Sequence, residues 1–147
     1  MRNFLALTIC QPWASLIMRG EKWVENRIWP SHYRGPLVIH AGKGMQYLQG
    51  ENIADYQFGA ILGVVEMSGC VNIQTLKDRR AAGSATEEEI AILDHPYTDG
   101  PYGFLFRNPR PFAEPIPASG RQKIWTLDNR LSAQVVEVLE KMGALAL

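Results

Sequence analysis

The chain has 147 residues and a mass of 16.5 kDa; 46% of its residues are hydrophobic and 20% are charged. This length predicts one domain over residues 1–147, large enough to bury a core without disulfides or metals. The 15 basic residues equal the 15 acidic residues in number. A net charge of zero excludes a histone-like polycation and, taken as a total, argues against nucleic acid as a partner.

The sequence carries no recognisable membrane or export signal. No apolar run approaches the roughly 20 residues of a membrane span, and the N-terminus lacks the apolar core of a signal peptide. We therefore expect a cytoplasmic protein that does not enter a membrane. Cys10 and Cys70 lie far apart in apolar stretches without a Cys/His cluster, which predicts buried free thiols instead of a disulfide or a zinc site.

The neutral total conceals an uneven distribution of charge along the chain. Residues 19–43 carry a net charge of +3, residues 44–100 carry −6, and residues 101–123 carry +3, with histidine taken as neutral. If the fold brings the two basic blocks together, the protein presents a positive face despite its neutral total. If it does not, the surface is a mixture of both signs.

The first 59 residues predict three strands and two helices. Runs of β-favouring residues predict strands at residues 4–9, 22–28 and 37–40. Alternation in the second strand places Trp23, Glu25 and Arg27 on one side and Lys22, Val24, Asn26 and Ile28 on the other. Pro12 and Gly20 are typical of helix ends and delimit the first helix, whose buried face includes Trp13. We expect a second helix at residues 45–56.

The remaining residues predict a long bent strand, two helices and further strands. Gly63 and Gly69 interrupt the strand at residues 60–73 and indicate bulges or a sharp bend. Residues 74–100 are expected to form a variable, solvated segment, which we call the excursion. It contains a predicted acidic helix at residues 86–93, with Thr86 as the N-cap. The other predicted elements are strands at 102–107 and 123–127, an extended Pro-rich segment at 108–117, and a C-terminal helix at 131–142. This pattern indicates a small α+β barrel.

Polar residues that suit a binding site concentrate in the first basic block. Lys22, Glu25 and Arg27 are accompanied by Gln11, His32, Arg34, His40 and Lys43, several of them at the ends of predicted elements, where binding groups commonly lie. Glu25 can form a structural ion pair with a neighbouring cation, orient that cation toward a phosphate, or read a base edge. Spacing alone does not separate these roles.

Aromatic residues and one late loop extend the same hypothesis. Trp13 and Trp125 are expected in the core. Rings that lie beside basic residues or turns can stack on bases, as in single-strand binders; they are Trp23, Trp29, Tyr33 and Tyr102. Arg121, Gln122 and Lys123 follow Ser119-Gly120, a loop suited to binding phosphate, although a plain solvated loop has the same composition.

The sequence contains none of the common catalytic or cofactor motifs that we sought. Nucleophile motifs, Walker loops, dinucleotide fingerprints and metal-ligand spacings are not found, and the three histidines are dispersed. We therefore expect no cofactor and no metal. If the protein is an enzyme, the candidates for acid, base or electrostatic stabiliser are Lys22, Glu25, His40 and Lys43.

The segments that hold these residues resemble the ASCH domain family. The resemblance begins in LTICQPWASLIMRGEKWVENRIWPSHYRGPLVIHAGK and continues through GAILGVVEMSGCVNI and YGFLFRNPRPFAEPIPASGRQKIWTLD. It is strongest for the type of ASCH domain at the C-terminus of the activating signal cointegrator. The matching segments run in order over about residues 4–130, leaving out residues 74–100 and the last helix.

The resemblance implies a PUA-like β-barrel with flanking helices and a charged cleft that binds RNA or other nucleic acid. The family's characteristic positions include Gln11, Trp13, Lys22, Glu25, Arg27, His40, Lys43 and Lys123. With Arg34 and Arg121, which are candidates from their place in the sequence alone, these are the expected binding residues. Some relatives are linked to RNA cleavage, and one branch is similar to amidohydrolases acting on acetylcytidine. Lys22 matches the lysine that this amidohydrolase branch uses, but Glu25 stands where the branch has a threonine.

A third hypothesis, besides a nucleic-acid-binding module and an enzyme, is a protein-interaction domain that uses the acidic excursion.

Overall fold

A computed structural model describes residues 3–143, and this range folds as a curled six-stranded sheet with flanking helices. The mixed α+β class and the barrel-like sheet predicted from the sequence are confirmed. The elements are β1 (Leu5–Ile9), α1 (Trp13–Met18), β2 (Val24–Arg27), β3 (Gly35–Ala41), a 3-10 turn (Ile53–Asp55), β4 (Ala60–Asn72), α2 (Ile73–Ala81), α3 (Glu87–Asp94), β5 (Tyr102–Pro117), β6 (Ile124–Thr126) and α4 (Asn129–Lys141).

The sheet curls so far that strands distant in its order come into contact. The order is β2-β5-β4-β3-β1-β6; β1 and β3 run parallel, and the other neighbours run antiparallel. Three strands separate β2 from β1 in this order, yet Arg27 Nη2 on β2 donates a hydrogen bond to the Thr8 carbonyl on β1 at 3.0 Å. We call this contact the seam, because it joins the two sides of the half-barrel.

Glycines in β4 allow the long strands to bend. The pairing of β4 with β5 shifts in register between Ile61 and Gly63 and again between Met67 and Gly69, as expected for β-bulges. A Cβ atom on Gly63 would lie 2.3 Å from the Arg110 carbonyl oxygen on β5. The predicted bends at both glycines are confirmed, and at Gly63 only a residue without a side chain fits.

Apolar residues alternate along the central strands and build a core on each face of the sheet. Leu7, Leu37 and Ile39 belong to one core, against which α1 packs. Ala6 and Val38 belong to the other, which α4 covers with Leu131, Val135 and Leu139. The side chain of Asp128 caps α4 by accepting a hydrogen bond from the Leu131 amide at 2.8 Å. The predicted C-terminal helix is therefore confirmed, with its start two residues earlier.

The helix predicted at residues 45–56 is wrong. This stretch contains turns and one 3-10 turn, and three of its apolar residues, Met45, Tyr47 and Ile53, are each about half exposed at 50%, 53% and 49%. Without a continuous buried apolar stripe, tertiary packing does not stabilise a helix over this stretch.

Residues 74–100 are mostly exposed, as expected of a solvated excursion, but a few buried side chains attach them to the sheet. The predicted acidic helix is present as α3, with Thr86 in a complete capping box. Helix α2 was not predicted, because Ile73 and Leu76 are its only buried residues. These two side chains join Val24 and Ile92 in a third apolar cluster. The excursion therefore packs against β2.

Two further expectations can be compared with the described residues. The Pro-rich segment 108–117 is extended and forms the second half of β5, where it pairs with β4. Cys10 and Cys70 are free thiols, as predicted, although both are partly exposed instead of buried. Within residues 3–143 no helix is long and apolar enough to cross a membrane.

Candidate nucleic-acid interface

A cavity of about 830 Å³ lies between α1, β2 and the segment that follows α3. Lys22, Glu25 and Arg27 line it together with the aromatic rings of Trp13 and Trp29. We call it the ion-pair pocket. Another part of the wall of this pocket consists of residues 96–100, a segment that we call the strap. The excursion left out of the sequence resemblance thus contributes directly to the cavity.

Glu25 lies between two cations in this pocket. Its Oε1 accepts a hydrogen bond from Lys22 Nζ at 2.9 Å, and its Oε2 accepts one from Arg27 Nε at 3.0 Å and lies 2.8 Å from Arg27 Nη2. Lys22 also donates to the Val24 carbonyl. The side chains of Lys22 and Glu25 are 4% and 9% exposed, whereas that of Arg27 is 21% exposed. Arg27 is therefore the member of this triad most accessible to a ligand.

Aromatic rings surround the triad. The Trp13 ring lies 5.5 Å from the Tyr97 ring in an edge-on arrangement and 5.9 Å from the Tyr47 ring. Trp29 packs edge-on against Phe104 at 5.1 Å, and Lys123 Nζ lies 5.9 Å from the Trp29 ring centre. Rings in such numbers offer stacking surfaces to a flat ligand.

A second cavity, of about 430 Å³, lies next to the first and shares Thr8 with it. His40, Lys43 and Arg121 line this cavity, which we call the histidine pocket. Lys43 and Arg121 are exposed. Gly120 packs so closely that a Cβ atom there would lie 2.7 Å from Thr8 Oγ1 and 2.8 Å from the His40 ring.

Hydrogen bonds fix the protonation of His40. Its Nε2 lies 2.6 Å from the Ala118 carbonyl, which can only accept, so Nε2 carries the proton. Nδ1 then accepts from the Thr8 hydroxyl at 3.2 Å, and that hydroxyl accepts from Trp125 Nε1 at 3.1 Å. Burial lowers the pKa of His40, an effect partly opposed by the hydrogen bond to Ala118. The neutral imidazole is thus one link in a fixed chain.

The structure brings most of the predicted binding residues to these two cavities. Trp13, Lys22, Glu25 and Arg27 line the ion-pair pocket, and His40, Lys43 and Arg121 line the histidine pocket. Lys123, exposed and with a left-handed backbone (φ 58°), lies over Trp29 at the rim of the first.

Gln11 and Arg34 have other surroundings. Gln11 is fully buried, where its amide accepts a hydrogen bond from the Ser15 amide and donates one to the Gln57 carbonyl. Arg34 is exposed, donates to the carbonyls of Ser31 and Tyr33, and lines neither cavity.

The other rings proposed for base stacking lie outside both cavities. Trp23 packs in the third apolar cluster and edge-on against His95 at 4.5 Å. Tyr33 packs against the core on the α1 face, and Tyr102 pairs with Arg27 in the sheet. Trp125 belongs to the core, as expected. Trp13, expected in the core, packs against it with a partly exposed ring that also lines the ion-pair pocket.

The two basic blocks converge only in part. Lys43 comes from the first block and Arg121 from the second, and they line the same pocket. Arg107 instead pairs with Glu66 at 2.9 Å on the surface, and Arg19 pairs with Glu21 at 3.3 Å. No group of three or more metal-ligating side chains occurs in residues 3–143.

Sequence reasoning missed Thr8, Asn26 and the strap. Thr8 lies inside an ordinary β-favouring run, and Asn26 was placed only on one side of a strand. Nothing in the local sequence around Asn26 indicates that a segment about 70 residues later folds against it. The capped acidic helix α3 was the one available signal, since it predicts ordered structure shortly before the strap.

Comparisons with known proteins agree with this architecture. The sequence matches the ASCH domain family over residues 7–125. It is 30% identical over 141 residues to activating signal cointegrator 1 from Homo sapiens and, equally, from Mus musculus, covering 85% of this chain. The chain spans 22% of the length of these two relatives.

Solved structures show the same fold. The crystal structure of ASCH from Zymomonas mobilis aligns with a TM-score of 0.57 at 16% identity, covering 91% of this chain and 94% of that chain. A mutant of the same protein aligns with a TM-score of 0.57 at 19% identity, covering 93% of this chain and 99% of that chain. The family match extends over most of the chain and includes both cavities' main side chains, so the chain belongs to the ASCH domain family.

Proposed function

We propose that this ASCH domain binds single-stranded nucleic acid, RNA in particular, across the two cavities. The observation that carries the proposal is the adjacency of an aromatic-walled pocket and a pocket with two exposed cations, which share Thr8. Aromatic rings stack on bases irrespective of sequence, and cations bind the phosphates between them. In this arrangement a base enters the ion-pair pocket, and phosphates lie along Lys43, Arg121 and Lys123.

The geometry supports binding more than catalysis. Lys22 and Glu25 are buried and bonded to each other, so neither is available as a free acid or base. Both ring nitrogens of His40 have partners. Of the four catalytic candidates, only Lys43 is exposed, and it suits electrostatic binding. We therefore expect RNA to be recovered intact after incubation with the protein.

The salt dependence of RNA binding tests the proposal. Each phosphate neutralised on a single strand contributes roughly 0.7 to the log–log slope of affinity against salt, so three cations predict a slope of roughly 2. Fluorescence anisotropy with a labelled single-stranded RNA at several salt concentrations measures this slope. K43A/R121A is expected to weaken binding and to lower the slope by about 1.4.

The double variant K77A/R130A is the matched control. It removes the same charge from exposed residues that line neither cavity, so it should leave affinity nearly unchanged. Absence of binding, binding insensitive to salt, or equal losses in both double variants would contradict the proposal.

A further inference from the structure

The strap forms part of the ion-pair pocket although it belongs to the acidic excursion. All of its residues, 96–100, line the cavity. Tyr97 places its ring edge-on to Trp13 at 5.5 Å, and Asp99 is exposed at the pocket. The position of these two side chains depends on what holds the strap against the sheet.

Asn26 holds the strap with three hydrogen bonds. Its Nδ2 donates to the Tyr97 carbonyl at 2.8 Å, and its Oδ1 accepts from the amides of Asp99 and Gly100, each at 2.9 Å. Asn26 lies on β2, the last strand of the described sheet, opposite Gly103 of β5. Its amide group bonds the strap's backbone much as a neighbouring strand would.

Other contacts order the strap internally or at its start. His95 Nδ1 accepts from the Tyr97 amide at 3.1 Å, and the His95 ring lies edge-on to Trp23 at 4.5 Å. Thr98 Oγ1 donates to the Ile92 carbonyl at 2.6 Å. These bonds shape the turn after α3, whereas the bonds of Asn26 connect residues 97, 99 and 100 to β2.

The strap also changes the charge of the pocket. The ion-pair pocket is lined by the cations Lys22 and Arg27 and by the carboxylates Glu25 and Asp99, so its formal charge is zero. The histidine pocket is lined by the cations Lys43 and Arg121, with His40 neutral. A neutral pocket with aromatic walls suits a base, and the cationic pocket suits a phosphate.

We propose that Asn26 is the positioning residue of the ion-pair pocket: it holds Tyr97 and Asp99 at the cavity and thereby selects a base over a phosphate. This inference rests on the proposed binding of single strands. The strap, a segment of the excursion, then provides the base selectivity, and Asn26 contributes to it by positioning the strap.

The test compares N26A and N26D with the wild type by two readouts. Hydrogen exchange of the Asp99 and Gly100 amides reports the strap without any ligand, and N26A should accelerate it about tenfold or more. N26D keeps an oxygen that accepts from both amides but replaces the donor to the Tyr97 carbonyl by a second acceptor, so exchange there should be faster than in the wild type and slower than in N26A. The second readout is the ratio of affinities for a short RNA and for an abasic strand of equal length, which should fall toward one in N26A.

N72A is the matched control. Asn72, the last residue of β4, caps α2 by accepting from the Thr75 amide at 3.2 Å, so this variant also removes a bond between an asparagine side chain and the backbone of the excursion but leaves the strap's bonds intact. It should preserve both readouts. Unchanged exchange in N26A, or faster exchange with an unchanged affinity ratio, would overturn the inference. If the wild type binds neither strand, the proposed function and base selectivity both fail, whereas faster exchange in N26A still establishes that Asn26 positions the strap.

Discussion

At the scale of single residues, buried polar groups are held in one protonation or pairing state by their neighbours. The imidazole of His40 is 1% exposed and has a carbonyl on one side and a hydroxyl on the other. His95 is similar, since its Nδ1 accepts from the Tyr97 amide and its ring packs edge-on against Trp23. Burial lowers the pKa of both rings, and the charge of Lys22 lowers that of His95 further.

These lowered pKa values predict a loss of stability in acid. An unfolded histidine has a pKa of about 6.5, so between that value and the lower folded pKa the unfolded state binds more protons. Stability is therefore fully present above about pH 6.5 and falls as the pH decreases toward the folded pKa. Urea unfolding at about pH 8 and about pH 5 measures the difference. H40Q lowers stability at both values but should show a smaller difference between them; an equal difference in H40Q and wild type would contradict the assignment to His40.

Residue chemistry predicted only part of the candidate site. The i, i+2 spacing of Glu25 and Arg27 correctly placed both on one side of a strand. Lys22 was placed on the other side, but β2 begins at Val24, and the alternation does not extend to Lys22, which bonds Glu25. Asn26 was not a candidate, because the partners of a polar side chain depend on which distant segment folds against it.

At the scale of elements, the sheet depends on positions where the strands must bend. Gly63 has the clearest requirement, since an added Cβ would approach the Arg110 carbonyl at 2.3 Å and the Pro111 Cα at 2.9 Å. Both of these atoms belong to the backbone of β5, which cannot rotate away as a side chain can. The bulge therefore fixes the separation of the two longest strands.

Replacing this glycine tests the requirement. G63A should lower the free energy of unfolding by about 3 kcal/mol, because overpacking against backbone forces the strands apart. G50A is the control: Gly50 also has a positive φ, of 79°, but nothing lies within 4 Å of an added Cβ. It should cost about 1 kcal/mol, from the left-handed backbone alone. Equal losses in the two variants, measured in urea, would show that the close approach at Gly63 has no effect.

Local sequence signals correctly predicted those helices and strands whose formation depends mainly on adjacent residues. The capped helix α3, the strands and the amphipathic α4 carry their signals in adjacent residues. The helix expected at residues 45–56 and the missed α2 show the limit of such signals, because burial decides both cases. One segment exposes half of three apolar side chains, whereas the other buries only Ile73 and Leu76 against β2.

At the scale of the whole molecule, the seam relates two sides of the sheet that no backbone ladder connects. Arg27 bonds Glu25 on its own strand and the Thr8 carbonyl across the opening of the half-barrel. The planar guanidinium of arginine can donate to both partners at once through different nitrogen atoms. The ammonium of a lysine has a single nitrogen atom and cannot reproduce this geometry. We therefore expect the seam to depend on arginine at this position, and not on positive charge alone.

R27K should therefore lower the free energy of unfolding by about 2 kcal/mol, since a hydrogen bond from a charged group contributes about 1.5 to 3 kcal/mol. R107K is the comparison, because Arg107 pairs with Glu66 at the surface, where their side chains are 63% and 33% exposed. It should leave the free energy of unfolding nearly unchanged, because exposed ion pairs contribute little. Urea unfolding measures the stability of both variants. Similar losses in R27K and R107K would contradict a specific contribution of the seam.

Thr8 gives the two cavities a common reference point. Its backbone carbonyl accepts from Arg27 in the ion-pair pocket, and its hydroxyl belongs to the chain that fixes His40 in the histidine pocket. Both groups belong to one residue, so covalent geometry sets the offset between them. If single-stranded nucleic acid binds across both cavities as proposed, its base and its phosphate meet groups at a constant spacing. We then expect the domain to select ligands by the distance between these two groups in addition to their chemistry.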